Sequence, residues 1–335
     1  MVPMSWPSLW RLFITNIHWQ AMAIGFVATL FAKGFWSLAP VTFTTLDWAF
    51  YDMWLRLRAP VAVSEVLTVV VRDPESEERF GPVLDRAVLA EVLTAVHDAG
   101  AAAIGIDHRL DHASPASLGG AASDAMFMEA LQAAGPIALV HDAESALQSG
   151  AAIMGHLHVS TQPDQITRRI PLMAEIEAQA VPAFGALLFD LYRQAPLLAT
   201  QPLMSVQSSA EILNPAGDGS LPALATTPLS SVWRSMKEDD RRQLEEWFNG
   251  KVVVILPNAA GRGAWLLPTG QSIAGIVAHL HLLNGLLAGD RIGATPRAAA
   301  FSLTLLVASC IAWALLRFQG WTGLGFATTL PMLYS

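Results

Sequence analysis

Residues 66–73 read Val-Leu-Thr-Val-Val-Val-Arg-Asp, a β-branched apolar run that closes on a basic and an acidic side chain. An apolar run that closes on an acid recurs at 102–107 and at 137–142. The stretches between these runs, 85–99 and 122–134, have helical periodicity. Short apolar strands joined by helices predict βαβ crossovers and a mostly parallel central sheet with helices on both faces. The chain is therefore predicted to contain an α/β domain.

Acids follow the predicted strands where each one ends. They are Asp73, Asp107 and Asp142. Parallel strands bring their carboxyl ends to one edge, which is where open α/β sheets bind ligands. His108 adds an imidazole at this edge, and Arg169 carries a planar guanidinium that suits an anionic ligand. We therefore predict a ligand-binding site that includes Asp73, Asp107, His108 and Arg169.

Each of these patterns also has a plainer structural role. Acids after strands commonly cap helices or accept hydrogen bonds from loop amides. Arg168 and Arg169 can equally form a salt bridge to Asp164 or to a sheet-edge carboxylate. Residues 107–112 and 156–158 contain side chains of the kinds that bind metals, but ordinary packing is the commoner role of such residues. We predict no metal site.

The motifs of common enzyme classes are missing from the sequence. Residues 261–263, Gly-Arg-Gly, lack the Gly-Lys-Ser/Thr ending of a P-loop, and neither a Gly-x-Ser-x-Gly motif nor a zinc-protease histidine pair occurs. We therefore expect no catalytic residues, no enzymatic activity and no cofactor. The net charge of −8, without a basic stripe, also argues against a nucleic-acid partner.

Two apolar stretches flank the predicted domain. Residues 298–316 are uncharged and close to the ~20 residues that a helix needs to cross the hydrocarbon core of a bilayer. Residues 17–40 form the second stretch, and the apolar run within 321–335 predicts the start of a further membrane helix. Charged residues make up only 14% of the chain, against roughly 25% in an average soluble domain. This composition predicts a membrane protein with transmembrane helices at both ends.

The membrane prediction defines the order of segments along the chain. Residues 1–16 are expected to be a cytoplasmic segment, 17–40 a transmembrane helix and 41–59 an amphipathic connector helix. The domain then occupies 60–291. A cleaved signal peptide is the alternative for the first apolar stretch, because residues 37–39, Ser-Leu-Ala, imitate a small-residue cleavage site.

Several segments, in a fixed order, carry a family resemblance. They are residues 52–58, 69–76, 100–110, 155–171, 249–255 and 268–279. Together they resemble the type-two CHASE domain, an extracytoplasmic sensor of bacterial receptors, over about residues 46–289. The resemblance implies a location in the bacterial inner membrane with the main domain periplasmic or extracellular. It also implies a cytoplasmic signalling output, frequent homo-oligomers, and a connector helix on which Asp52, Arg56 and Arg58 match the family pattern.

Two functions are consistent with this sequence. The favoured one is a sensing module, in which an unknown small-molecule or protein ligand at the sheet edge shifts the membrane helices and so signals to a cytoplasmic output or a membrane partner protein. The alternative is a non-catalytic scaffold or assembly subunit of a membrane protein complex. A periplasmic metal-dependent hydrolase ranks third.

Overall fold

The computed structural model divides the chain into two compact units, residues 1–57 with 294–335 and residues 58–293. The structure describes residues 16–59, 61–108, 112–140, 152–194, 210–258, 265–290, 292 and 297–318. The predicted segments at Asp142, around Met204–Gln207 and within 321–335 lie outside these residues.

Helices and strands are numbered separately in chain order. The helices are α1 (Ile17–Leu38), α2 (Pro40–Leu57), α3 (Pro74–Phe80), α4 (Arg86–Asp98), α5 (Gly120–Ala133), α6 (Phe184–Arg193), α7 (Leu229–Lys237), α8 (Arg241–Phe248), α9 (Gly275–Ala288) and α10 (Arg297–Arg317). The strands are β1 (Leu67–Val71), β2 (Ala103–Ile106), β3 (Ile137–Val140), β4 (Ala152–Gly155), β5 (Ser160–Thr161), β6 (Thr167–Pro171), β7 (Met173–Ile176), β8 (Gln179–Pro182), β9 (Ala210–Ile212), β10 (Thr226–Pro228), β11 (Val252–Leu256), β12 (Trp265–Leu266) and β13 (Ser272–Ile273).

The first unit contains α1, α2 and α10. Helix α1 begins after Asn16, whose side chain accepts a hydrogen bond from the His18 N–H at 2.9 Å. Helix α1 and residues 298–317 of α10 are each long and apolar enough to cross a membrane. These two helices pack so closely that a Cβ added at Gly25 would lie only 2.8 Å from the Ser309 Cα. The glycine therefore permits the close approach of the two backbones.

The second unit is built on a six-stranded sheet. Its strands run in the spatial order β10-β1-β11-β2-β3-β4. Every neighbouring pair in it is parallel. The mixed α/β fold with a parallel sheet is thus confirmed. Strand β11 is the last of the six in the chain, yet it lies between β1 and β2, the first two.

Alternate strand residues enter two separate hydrophobic cores. Val69 and Val254 face the core formed with α6 and α9, while Val70 and Ile255 face the core formed with α4, α5, α7 and α8. All four side chains are fully buried. Burying a side chain of this size contributes about 1.5–3 kcal/mol, so the two-sided burial dominates the stability of the sheet.

The sequence pattern also predicts strands over 153–159 and 169–176 and a helix over 272–287, and all three have different boundaries in the structure. The first of these strands ends at Gly155. The second is two strands, β6 and β7, that belong to different sheets, and Pro171, the last residue of β6, has no N–H with which to extend the ladder. The helix expected over 272–287 begins at Gly275, since its first two residues pair with β12 as strand β13.

Helix α7 is absent from the sequence prediction. It follows β10 directly, and its apolar residues Leu229, Val232, Trp233 and Met236 recur at helical spacing, a signal that the sequence prediction missed. Leu229 and Val232 are buried in the core with α4, one helical turn apart. Tertiary burial of this face, rather than local propensity, accounts for the helix.

The contact between α6 and α9 supplies the first prediction. A Cβ at Gly185 would lie 2.3 Å from the backbone oxygen of His279, so Gly185→Ala should force the two helices apart and cost about 1–3 kcal/mol of unfolding free energy. Urea unfolding of the purified chain, followed by tryptophan fluorescence, measures this loss. Gly34→Ala is the matched control, because the added methyl meets nothing within 4 Å. Equal stability of the two variants would contradict the close contact.

Candidate functional site

The predicted sheet-edge acids lie at one edge of the parallel sheet. Asp73 follows β1 and Asp107 follows β2, and both side chains are partly exposed. The backbone N–H of Asp107 donates to the Ile255 oxygen at 3.0 Å, which extends the β2–β11 ladder by one bond. Strand β11 separates the two acids, so their strands are about 10 Å apart. A small ligand can span that distance.

Asp73 caps the helix ends around it. It is the N-cap residue of α3, and its Oδ1 accepts from the Ser230 N–H, at the start of α7, at 3.0 Å. Burial opposes ionisation of the Asp73 carboxyl, but hydrogen bonds from Ser230 and Ser76 outweigh it and lower the pKa. The carboxylate is therefore charged at neutral pH. As the N-cap of α3 that also accepts from Ser230, it joins α3 to α7 at the sheet edge.

Arg72 lies beside this cap. Its Nη2 donates to the backbone oxygens of Ser76 and Gly81. Its Nε and Nη1 are buried and find no hydrogen-bond partner among the residues that the structure describes. Burial is the main influence on the Arg72 guanidinium and lowers its pKa. A partly buried cation with unused donors at a sheet edge is suited to an anionic ligand.

His108 belongs to a buried charged network on the same edge. Arg86, at the start of α4, donates from Nε to His108 Nε2 at 3.1 Å and from Nη1 to Asp124 Oδ1 at 2.6 Å. Its Nη2 donates to the His112 oxygen at 2.8 Å. The Ser114 N–H also donates to Asp124. The network ties α4, α5 and the segment after β2 together.

Burial opposes the charge on Asp124, but Ser114 and Arg86 outweigh it and hold the pKa of this carboxyl below its usual value. Sequence reasoning singled out only His108 from this network and missed its two charged members. A signal was present in the sequence, since Arg86 shares a helical face with the buried Leu89, and Asp124 shares one with the buried Phe127. Opposite charges on the apolar faces of two neighbouring helices indicate a buried ion pair.

Arg169 belongs to a different sheet from the strands that precede Asp73 and Asp107. It occupies β6, the middle strand of the antiparallel β5-β6-β9 sheet, where it pairs with Ser160 and Ile212. Its neighbour Arg168 is only 2% exposed and donates to both carboxylate oxygens of Asp164, at 3.1 and 2.7 Å. These bonds from Arg168 are the main reason that the pKa of Asp164 is lowered. For Arg168, the salt bridge proposed as the plainer role is present.

The predicted connector residues fall on both sides of the boundary between the units. Asp52 and Arg56 lie four residues apart on α2 and so share one helical face. Arg58 opens the second unit, where its Nη2 donates to the Pro215 oxygen at 2.9 Å. The amphipathic connector helix expected over 41–59 corresponds to α2, which ends at Leu57.

We call residues 61–64, near the start of the second unit, the incoming segment, and hydrogen bonds hold it to α9. Asn284 is fully buried, accepts from the Ser64 N–H at 2.8 Å and donates to the Ala62 oxygen at 3.2 Å. Beyond α9, the Asp290 oxygen accepts from the Asn214 side chain at 3.0 Å. The beginning and the end of the second unit are therefore linked through side-chain amides.

His281 anchors the same helix to a neighbouring turn. Its Nδ1 accepts from the Ala216 N–H at 3.2 Å, and its Nε2 donates to the Gly219 oxygen at 2.7 Å. Burial lowers the pKa of His281 to about 4, so the ring is neutral at physiological pH. Both ring nitrogens have hydrogen-bond partners, which fixes a single tautomer.

No cluster of three or more metal-binding side chains with suitable geometry occurs within the described parts of the chain. An open groove of about 600 Å³ lies over the outer surfaces of α4, α5 and α8, with Glu91, Glu129 and Asp239 among its lining residues. It is distant in the fold from the carboxyl edge, because it follows the later turns of α4 and α5. None of the carboxyl-edge residues Arg72, Asp73, Asp107 and His108 lines the groove, so the candidate site lies at the sheet edge and not in the groove.

Comparison with known proteins identifies one family. The family model described as the CHASE2 domain matches residues 23–318, which is nearly the whole chain. No curated protein and no solved structure matches the chain.

The buried charged network leads to a second prediction. Asp124→Asn keeps the shape of the side chain but leaves the Arg86 charge buried without its partner, which should cost roughly 3 kcal/mol of unfolding free energy. The matched control is Glu75→Gln, because Glu75 and Arg234 form an ion pair in which both side chains are more than half exposed. Water already screens that pair, so the control should unfold at nearly the same urea concentration as the wild type. Similar midpoints for the two variants would mean that the network is solvated.

A third prediction concerns the link through Asn284. Asn284→Leu conserves volume but removes both hydrogen bonds to the incoming segment, leaving the Ser64 N–H and the Ala62 C=O without these partners. The expected loss is about 1–2 kcal/mol, together with faster amide hydrogen exchange at residues 61–64. Gln271→Ala, which removes an exposed hydrogen bond to Asp218, should change neither quantity. Unchanged exchange at 61–64 in the leucine variant would disprove the link.

Proposed function

The chain belongs to the CHASE2 domain family, and we propose that it is the extracytoplasmic ligand-sensing module of a bacterial inner-membrane receptor. CHASE2 is a family of extracytoplasmic sensory domains, so a sensing role follows from membership. The two long apolar helices would cross the membrane and pass a conformational signal to a cytoplasmic output or a membrane partner protein. We propose that the chain itself catalyses no reaction and works as a homo-oligomer.

The observation that carries this proposal is the polar edge of the parallel sheet. Arg72 has buried, unused donors, and Asp73, Asp107 and His108 lie at the same edge. We infer that the ligand is a small anion, a carboxylate or a phosphate, which the guanidinium contacts through its planar fork. Arg169 stays a weaker candidate, since it occupies a different sheet.

A signal needs a path from this edge to the membrane helices. A ligand shifts an equilibrium only if it binds two arrangements with different free energies. Asn284 joins α9 to the incoming segment, and Asn214, which follows β9, is bonded to Asp290 just beyond α9. These three parts of the chain would therefore move together. The rival function, a scaffold subunit, would use the same links only to hold the domain rigid.

A thermal unfolding screen of the purified full chain in detergent micelles tests the proposal. The probes are small carboxylates and inorganic and organic phosphates. A ligand at a hundredfold excess over its Kd should stabilise the fold by about 2.7 kcal/mol and raise the Tm by roughly 5 °C or more. Arg72→Gln should abolish this rise, while Arg79→Gln, an exposed arginine on α3, should preserve it.

Two results would overturn the sensor. One is a Tm rise that Arg72→Gln leaves unchanged, which would place the ligand elsewhere. The other is no response to any probe combined with stoichiometric co-purification of a membrane protein, which would favour the scaffold.

A further inference from the structure

Three histidines lie together where α6 meets α9. The ring centroids of His156 and His158 are 5.3 Å apart, and those of His156 and His279 are 5.6 Å apart. His156 and His279 are fully buried, whereas His158 is exposed. A chain of imidazoles thus runs from the surface into the core. We call these three residues the histidine cluster.

Hydrogen bonds fix the protonation state of the two buried rings. The His158 N–H donates to His156 Nδ1 at 3.1 Å, so the neutral His156 ring carries its proton on Nε2. His279 Nε2 lies 3.2 Å from the His158 backbone oxygen, which can only accept, so this nitrogen carries the His279 proton. His279 Nδ1 is consequently a bare lone pair, buried without a hydrogen-bond partner among the described residues.

The cluster occupies the tightest helix contact of this core. Gly185 on α6 lies against the backbone oxygen of His279, leaving no room for even a methyl group. His156 is bonded to the start of α6, since its N–H donates to the Pro182 oxygen at 2.8 Å and its oxygen accepts from the Phe184 N–H at 3.0 Å. A change at either ring therefore acts on both sides of the contact.

We propose that the histidine cluster is a proton-binding site that loosens the contact between α6 and α9 when the surroundings become acidic. A proton on His279 Nδ1 turns a buried lone pair into a buried N–H and adds a charge beside His156. The His279 side chain is fully buried, so water reaches that charge only when the contact opens. This inference goes beyond the sensing of a small anion and holds equally for a scaffold.

The direction of the pH dependence follows from linkage. Burial first, and the neighbouring His156 second, lower the pKa of His279 from 6.5 to about 3. An opened contact exposes the ring and restores a pKa near 6.5. The closed contact is thus fully stable above pH 6.5 and is lost progressively as the pH falls toward 3. Between pH 7.5 and 5.5 this one ring raises the open fraction about tenfold.

Other ionisable groups lie on the elements around the cluster. Helix α6 carries Asp190 and Arg193, strand β6 carries Arg168 and Arg169, and α9 carries His281, which faces Asp218. Arg168 is held by Asp164. The ionisable groups with the largest effects on His279 are the other two histidines of the cluster. His281 is hydrogen-bonded to the turn at residues 216–219, so its protonation would change the protection of that turn and not that of α6.

Hydrogen–deuterium exchange of the purified full chain in detergent micelles tests this proposal without any added ligand. Protection at the first turns of α6, corrected for the intrinsic pH dependence of exchange, should fall about tenfold from pH 7.5 to 5.5 relative to α8. His279→Gln retains a donor toward the His158 oxygen but cannot take up a proton, so its change should stay below twofold. His97→Gln, at an exposed position on α4, should respond like the wild type.

His279→Asn serves as the second variant in case His279→Gln does not fold, and it should also suppress the acid response because it cannot take up a proton. The proposal fails if α6 and α8 of the wild type respond alike to acid. It also fails if a folded variant of His279 retains the tenfold change. These outcomes are independent of the anion screen, because that screen is read at constant pH and depends on Arg72.

Discussion

The central place of β11 is the constraint on which the rest of the second unit depends. This strand pairs with β1 over its whole length on one side and with β2 over residues 252–255 on the other, although it comes late in the chain, at residues 252–256. Until it is inserted, neither neighbour has its ladder complete and neither hydrophobic core is closed. The late strand also brings the end of the domain back beside its beginning. The pairing of Asn284 with residues 62 and 64 follows from that closure.

Much of the sheet could be predicted from the sequence, because a strand buried on both faces must be apolar throughout. Val66–Val71 and Val252–Leu256 satisfy this requirement and are flanked by polar residues that mark their ends. The order of the strands could not be predicted, since no local pattern states which strands are neighbours. The break after Pro171 could not be predicted either, because pairing with distant strands decides it. The helix at 229–237 was missed although its apolar residues recur at helical spacing.

The candidate site was predicted in part for a similar reason. The rule that parallel strands end at one edge located Asp73 and Asp107, yet it did not show that Asp73 accepts from Ser230. Ser230, on α7, comes beside Asp73 because β10, from a distant part of the chain, pairs with β1. The ion pair of Arg86 and Asp124 was not predicted, because each residue by itself is an ordinary charged residue of a helix. Only the pairing of α4 with α5 makes them partners. Conversely, Arg169 was grouped with the acids by chemistry, and the fold places it in another sheet.

Helix α9 gives these separate observations a common physical basis. Three of its polar side chains, His279, His281 and Asn284, are fully buried, and each is bonded to a different segment of the chain. Buried polar groups stabilise a structure only when their partners stay in place, so each bond fixes the position of the helix relative to one segment. A rigid helix of about four turns cannot yield at one of these points without straining the others. Any event that displaces α9, such as a proton on His279, therefore reaches the incoming segment through Asn284.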